Sequence, residues 1–132
     1  MTFLSEDVIS LNQKIRRIKM KEIKAIIRDF KLDAVITELK KIDGLPGITI
    51  SEIKGFGKSK AKGAQDKISE GLHEFVLRVK LELVVHNEIV DEVVDVIQRT
   101  AHTGNPGDGK IFVTEVSNVV KIRTNEIGEG AI

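Results

Sequence analysis

Apolar side chains recur along this chain with two different periods. In residues 22–28 and 74–85 they alternate with polar side chains, which is the pattern of a strand with one buried face. In residues 32–42 and 89–101 they recur every three or four positions, which is the pattern of a helix with one apolar stripe. Residues 48–56 are rich in β-branched side chains. The pattern therefore predicts strands at 22–28, 48–56, 74–85 and 111–122, and helices at 32–42 and 89–101.

The order of these elements is strand, helix, strand, strand, helix, strand. This is the ferredoxin-like βαββαβ arrangement, an α+β fold also called a split βαβ. It predicts an antiparallel four-stranded sheet with both helices on one face. The other face also carries apolar side chains, so we expect another subunit to cover it. A chain of 132 residues is long enough to form one such domain with its own core.

Residues 57–73 form a long connection between strands that a hairpin would join in a few residues. The segment carries four lysines, at positions 58, 60, 62 and 67, and few apolar side chains. Loops of this length are usually either functional or disordered, and the sequence alone weighs the two equally.

Residues 1–19 predict an N-terminal amphipathic helix that begins at Ser5 and is basic in its C-terminal half. We expect it to pack on its own domain or on a neighbouring subunit, and docking on a membrane or another partner is the alternative. A third interpretation is that translation starts at Met20 and that the segment is an artefact. In each case the domain itself spans residues 20–132.

Composition narrows the classes of function. The chain has 21 basic and 20 acidic residues, so its charge gives no reason to expect a nucleic-acid partner. It has no cysteine, which excludes disulfides and thiolate zinc sites, and its three histidines fit no metal-ligand spacing. No nucleophile–base pair or carboxylate dyad suggests an enzyme. No apolar run approaches a membrane span and no signal peptide opens the chain, so we expect a cytoplasmic protein.

The strongest chemical signal is the glycine-rich segment 103–113. Its glycines let the backbone come close to a ligand and leave amide N–H groups for anionic oxygens, and Lys110 adds a positive charge. Lys121 and Arg123 are predicted to share one face of the strand that follows. Taken alone, the segment is more often an ordinary turn than a phosphate site. It is not a Walker A loop, because Ile111 follows Lys110 and a strand comes next.

Longer blocks of sequence, in order and with matching spacing, resemble a known family. The blocks are residues 21–32, 52–58, 79–85, 99–104, 107–113 and 121–124, with the C-terminal pair 131–132. Through them, residues 20–132 resemble the PII nitrogen-regulatory signalling proteins.

The resemblance implies a homotrimer that binds ATP or ADP competitively in clefts between subunits. Thr49 and Val84 would lie near the adenine, and Lys121 and Arg123 would reach the phosphates of a neighbouring subunit's nucleotide. The other implied contacts fall into two groups: Gly55, Phe56, Gly57 and Lys58 at the base of the long loop, and Gly107, Asp108, Gly109 and Lys110 around the phosphates.

The resemblance also assigns residues 57–73 as the T-loop, the arm by which the family docks on target proteins. A membrane transporter is one candidate target. The alternative is a trimer of the same type that senses a metal or another small metabolite and serves a transport or efflux system. Either way the loop's ordering would depend on the bound ligand.

Several positions depart from the family pattern. The chain has no tyrosine, and Gly71 stands where uridylylated members carry one, so that modification is excluded. Ser59 and Arg78 replace a glutamine and a lysine of the family's site for Mg²⁺ and 2-oxoglutarate. Ser59 is a poor chelating group, whereas Arg78 can still pair with a carboxylate, so the sensing of 2-oxoglutarate stays open. Lys58 and Lys121 replace arginines and keep the charge without the bidentate geometry.

Overall fold

A computed structural model describes residues 19–56 and 75–132. Its strands are β1 (Met20–Arg28), β2 (Thr49–Gly55), β3 (Val76–His86) and β4 (Lys110–Val116), and its helices are α1 (Leu32–Leu39) and α2 (Val90–Ala101). The strands form one antiparallel sheet in the order β2-β3-β1-β4. This order confirms the predicted ferredoxin-like α+β fold.

The core lies between one face of the sheet and the two helices. Alternation places Ile23, Ala25 and Ile27 of β1 on this face, and all three are buried. In register beside them, β3 contributes Val79, Leu81 and Leu83. The helices close the core with Val35 and Leu39 of α1, and with Val93 and Ile97 of α2.

The other face of the sheet is mixed in character, and we call it the open face. It carries apolar side chains such as Ile26 and Phe112 between charged ones. Lys80 pairs with Glu82 at 3.4 Å, and the Lys24 Nζ lies 5.3 Å from the centre of the Phe112 ring. The face that we expect a second subunit to cover is therefore largely polar.

The end of β4 differs from the sequence prediction. The strand ends at Val116, whereas the pattern predicted residues 111–122. Val120 instead pairs with Ile127, and Lys121 donates its N–H to the Glu126 carbonyl at 2.9 Å. The chain here folds back on itself, so its backbone groups are paired locally and not with β1. The prediction that Lys121 and Arg123 lie on one face of this strand is therefore wrong.

The first helix is also shorter than predicted, ending at Leu39 and not at Ile42. Ile42 is nevertheless buried, because the turn that follows the helix returns its side chain to the core. The proposed N-terminal helix, except Lys19, and the whole of the long connection lie outside the described residues. Among the helices of the described ranges, none is long and apolar enough to cross a membrane.

Candidate functional site

A cleft of about 700 Å³ opens at one end of the sheet, where β1 and β2 finish and β3 and β4 begin. Ile26 forms part of its floor, and Gly55 and Phe56 line it from the end of β2. Arg78 of β3 and residues 107–110 line the remaining sides. Residues 103–109, which lie in the connection between α2 and β4, are called the glycine loop below.

Gly109 brings the glycine loop against the backbone of β1. A Cβ atom at this position would lie 1.7 Å from the Ile26 carbonyl oxygen, and the residue has φ +102°. Both conditions require glycine, because a side chain would overlap the strand and the backbone angle is unfavourable for L-residues. The next residue, Lys110, pairs with Ile26 in the sheet. The close approach of Gly109 therefore fixes where Lys110 begins β4.

Asp108 holds the loop together through its carboxylate. Oδ2 accepts the backbone N–H groups of Thr103 and Gly104 at 2.8 and 2.9 Å. Oδ1 accepts the Thr103 hydroxyl and the Arg28 Nε–H, the latter at 3.0 Å. Arg28 also donates to the Pro106 carbonyl at 2.7 Å, so one guanidinium joins β1 to two points of the loop. The carboxylate thus serves the loop's own geometry.

These contacts stabilise the charged form of Asp108. The hydroxyl and backbone N–H of Thr103 are the main causes, and Arg28 and the Gly104 amide add to them, so the pKa of Asp108 is held well below its usual range. Partial desolvation acts in the opposite direction but is outweighed.

The lowered pKa keeps Asp108 ionised over the ordinary pH range. A carboxyl with a depressed native pKa contributes stability above its unfolded pKa of about 3.9 and loses it only as the pH falls towards the native value. In an NMR titration of the free protein, we expect the carboxyl carbon resonance of Asp108 to be constant from pH 8 to about pH 4. Movement of this resonance with a midpoint at or above about pH 4 would contradict the carboxylate geometry.

Two guanidinium groups lie against Gly107. A Cβ atom there would be 3.1 Å from a terminal nitrogen of Arg78 and 3.3 Å from one of Arg28. The two arginines are directly opposite each other in the β1–β3 ladder. Within the described residues, the N–H of Gly107 donates no hydrogen bond, so it remains available to an anion.

Most of the predicted site residues within the described ranges meet at this cleft. Thr49 and Val84 do not, because they lie on the open face towards the middle and far end of the sheet, opposite Glu82 and Glu22 respectively. Lys121 and Arg123 lie beyond the end of β4 that is remote from Lys110. Gly57, Lys58 and Ser59 lie outside the described residues. The residues brought together are Gly55, Phe56, Arg78, Gly107, Asp108, Gly109 and Lys110.

The sequence pattern did not identify Arg28 and Thr103 as residues of this site. Both lie in blocks that resemble the family, yet a strand-end arginine and a threonine after a helix have many ordinary uses. Their function becomes visible only through the shared carboxylate of Asp108. No group of three or more histidine, cysteine, aspartate and glutamate side chains within residues 19–56 and 75–132 is arranged to hold a metal ion. The positive charges of Arg78 and Lys110, which line the cleft, suit an anion.

Comparison with known proteins supports the resemblance along nearly the whole chain. The profile of the family described as "Nitrogen regulatory protein P-II" matches residues 20–126. Nitrogen regulatory protein P-II of Azospirillum brasilense is 47% identical over 113 residues, covering 86% of this chain and 100% of that protein. Nitrogen regulatory protein P-II 1 of Escherichia coli (strain K12) is 48% identical over the same coverage.

Solved structures agree with the sequence comparison. The crystal structure of Arabidopsis thaliana PII bound to citrate matches with a TM-score of 0.70 and 39% identity, covering 89% of this chain and 96% of that one. This identity and coverage indicate a relationship in sequence as well as a shared fold. The chain therefore belongs to the PII nitrogen regulatory family of signal-transduction proteins.

Proposed function

We propose that this protein is a homotrimer that binds ATP or ADP in clefts between its subunits and regulates a target protein through residues 57–73. The observation that carries the proposal is the cleft at the end of the sheet, where a glycine loop and Lys110 face an open volume. The family membership makes an adenine nucleotide the first ligand to test, and the T-loop the first docking segment.

The cleft has the chemistry that a phosphate chain requires. The Gly107 N–H is available there, and the lack of a side chain at Gly107 lets the guanidinium groups of Arg28 and Arg78 lie close to the loop backbone. Lys110 adds a positive charge and has no acidic partner within the described residues. Asp108, by contrast, would support the site indirectly by holding the loop in place.

A second subunit would supply what one chain lacks at this cleft. Lys110 begins β4, whereas Lys121 and Arg123 follow its other end, and a strand of seven residues spans about 20 Å. Thr49 and Val84 are likewise displaced from the cleft along the sheet. One nucleotide that contacts both the cleft and these distant residues is therefore best bound between two chains. One chain would supply the cleft, and its neighbour would supply the adenine contacts and the two distal cations.

Regulation in this protein would not use uridylylation of the T-loop, because the sequence contains no tyrosine. Ligand binding would instead act directly on residues 57–73, which begin one residue after Phe56 in the cleft. Mg²⁺ and 2-oxoglutarate are candidate co-ligands. Arg78 is a suitable carboxylate partner, and the Arabidopsis relative was crystallised with the carboxylate ligand citrate.

Mixed trimers test the shared site. Lys110→Ala and Arg123→Ala should each lower ATP affinity at least about tenfold, since each removes a charged phosphate contact. Each variant should remain trimeric by sedimentation velocity. When the two variants are co-refolded, a trimer that contains both kinds of subunit has one interface with Lys110 and Arg123 intact, and equilibrium dialysis with labelled ATP should detect one recovered site in it.

The outcomes of this experiment separate the alternatives. Recovery in mixed trimers supports a site built from two subunits. Loss of binding in Lys110→Ala with full binding in Arg123→Ala would mean that one chain holds the nucleotide alone. If the wild-type trimer binds neither ATP nor ADP, the alternative of a trimer that senses a metal or another metabolite is favoured.

A further inference from the structure

Arg78 carries a positive charge that no acidic side chain neutralises within the described residues. It lies directly opposite Arg28 in the β1–β3 ladder, and like charges in facing positions repel each other. The charge of Arg28 is compensated by the Asp108 carboxylate at 3.0 Å. Arg78 donates to its neighbour's carbonyl, the Leu77 oxygen, at 3.1 Å, and within residues 19–56 and 75–132 it forms no ion pair.

The guanidinium of Arg78 also lies where it could contact an anion bound in the cleft. Its terminal nitrogen would lie 3.1 Å from a Cβ at Gly107, so it lies against the glycine loop inside the cleft. Gly107 and Lys110 line the same cleft. A planar guanidinium can donate two hydrogen bonds to one phosphate group, which an ammonium cannot do in the same geometry.

The two cations enter the cleft from different strands, an arrangement that a chain of phosphates can bridge. Arg78 is on β3 and Lys110 is on β4, with β1 between them, and their positions along the sheet differ by two residues. Strand spacing and rise place their Cα atoms about 12 Å apart. Two long side chains that converge from this distance can contact opposite ends of one polyphosphate, with the amides of the glycine loop between them.

We propose that Arg78 binds the terminal phosphate of ATP and thereby sets this protein's preference for ATP over ADP. The inference rests on the proposed nucleotide site and specifies how that site distinguishes its two ligands. ADP would reach Lys110 and the glycine loop but would leave Arg78 opposite Arg28 without an anion. ATP would place its third phosphate between the cleft wall and Arg78, which removes that repulsion.

Calorimetric titrations with ATP and with ADP, both in Mg²⁺ and without 2-oxoglutarate, test this role. For Arg78→Gln we expect an affinity for ATP about tenfold lower and an affinity for ADP changed less than about twofold. Arg78→Lys should fall between Arg78→Gln and the wild type, because it keeps the charge and loses the bidentate geometry. Arg99→Gln is the matched control, since Arg99 pairs with Asp95 on the surface of α2, away from the cleft.

Removal of Arg78 should not impair folding, because it relieves the repulsion with Arg28, and sedimentation and circular dichroism of each variant check this. Equal weakening of ATP and ADP by Arg78→Gln would overturn the proposal. A second series with 2-oxoglutarate provides another contrary outcome. If Arg78→Gln left ATP affinity without 2-oxoglutarate unchanged but removed a gain in ATP affinity that 2-oxoglutarate gives the wild type, Arg78 would bind a carboxylate and the proposal would be overturned. Absence of nucleotide binding by the wild type would instead overturn the proposed function itself, and this inference with it.

Discussion

Gly109→Ala should abolish nucleotide binding and destabilise the fold. The added Cβ would lie 1.7 Å from the Ile26 carbonyl oxygen and 2.8 Å from its carbon, which are backbone atoms of the central strand and cannot rotate away. Either the glycine loop or β1 must move, and Lys110 then loses its position opposite Ile26. We expect the free energy of unfolding to fall by about 2–5 kcal/mol, from overpacking of about 1–3 and strain of about 1–2 kcal/mol.

Two other glycines provide matched controls in urea denaturation and ATP titration. Gly44 also has a positive φ, +81°, but a Cβ there would meet nothing within 4 Å. Gly44→Ala should therefore show only the strain, about 1–2 kcal/mol, with ATP affinity unchanged. Gly47 has neither constraint, so Gly47→Ala should leave both properties close to the wild type. If Gly109→Ala behaves like Gly44→Ala, the contact with Ile26 does not position the loop.

Asp108→Asn should disorder the glycine loop and lower nucleotide affinity by about tenfold or more. Each carboxylate oxygen of Asp108 accepts from two donors: the Thr103 and Gly104 amides on one side, and the Thr103 hydroxyl and Arg28 on the other. An asparagine has one acceptor oxygen, so whichever way it is oriented its NH₂ group faces at least one N–H donor. That clash leaves donors without acceptors, which costs more than the loss of an isolated hydrogen bond.

The loop of the free protein reports this change without any ligand. In Asp108→Asn, we expect the Thr103 and Gly104 amide resonances to shift and their hydrogen exchange to accelerate. Asp95→Asn makes the same chemical change at an exposed ion pair on α2 and should alter neither the loop nor the affinity. Weakened ATP binding with unchanged Thr103 and Gly104 resonances would mean that Asp108 acts on the ligand and not on the loop.

Much of the fold could be predicted from the sequence because its elements have strong periods. In β3, apolar residues at alternate positions from Val79 to Val85 form the buried face, and a shift of one residue would expose all of them. The second helix shows the same consistency between its apolar stripe and its buried residues. The ferredoxin-like order then followed from the sequence of elements alone.

The end of β4 could not be predicted from the hydrophobic pattern. Apolar residues continue at Val119, Val120 and Ile122 after the strand has ended, so hydrophobicity alone extends the prediction too far. Two local features mark the change: Ser117 and Asn118, whose residue types are common outside regular structure, and Asn125, which has φ 61° inside the returning segment. The local pairing of Val120 with Ile127 satisfies backbone groups that β1 would otherwise have to pair.

The candidate site was predictable in its residue types and not in their roles. Glycines, a lysine and an aspartate in one segment suggest an anion site, but a carboxylate can serve a ligand or its own loop equally well. Only the arrangement of Thr103, Gly104 and Arg28 around Asp108 decides between them. The meeting of Arg28 with Arg78 likewise depends on strand register, which spans fifty residues of sequence and cannot be inferred from either arginine alone.

Calorimetric titration of the wild-type protein with ATP, followed by displacement with ADP, is the most direct test that this cleft is an adenylate-responsive site. We expect saturable binding of ATP and competition by ADP, with an ATP affinity at least about tenfold lower in Lys110→Ala. Repeating the titration with Mg²⁺ and 2-oxoglutarate shows whether the co-ligand is sensed. Absence of binding by either nucleotide to a correctly assembled trimer would contradict the nucleotide site and with it the proposed mode of regulation.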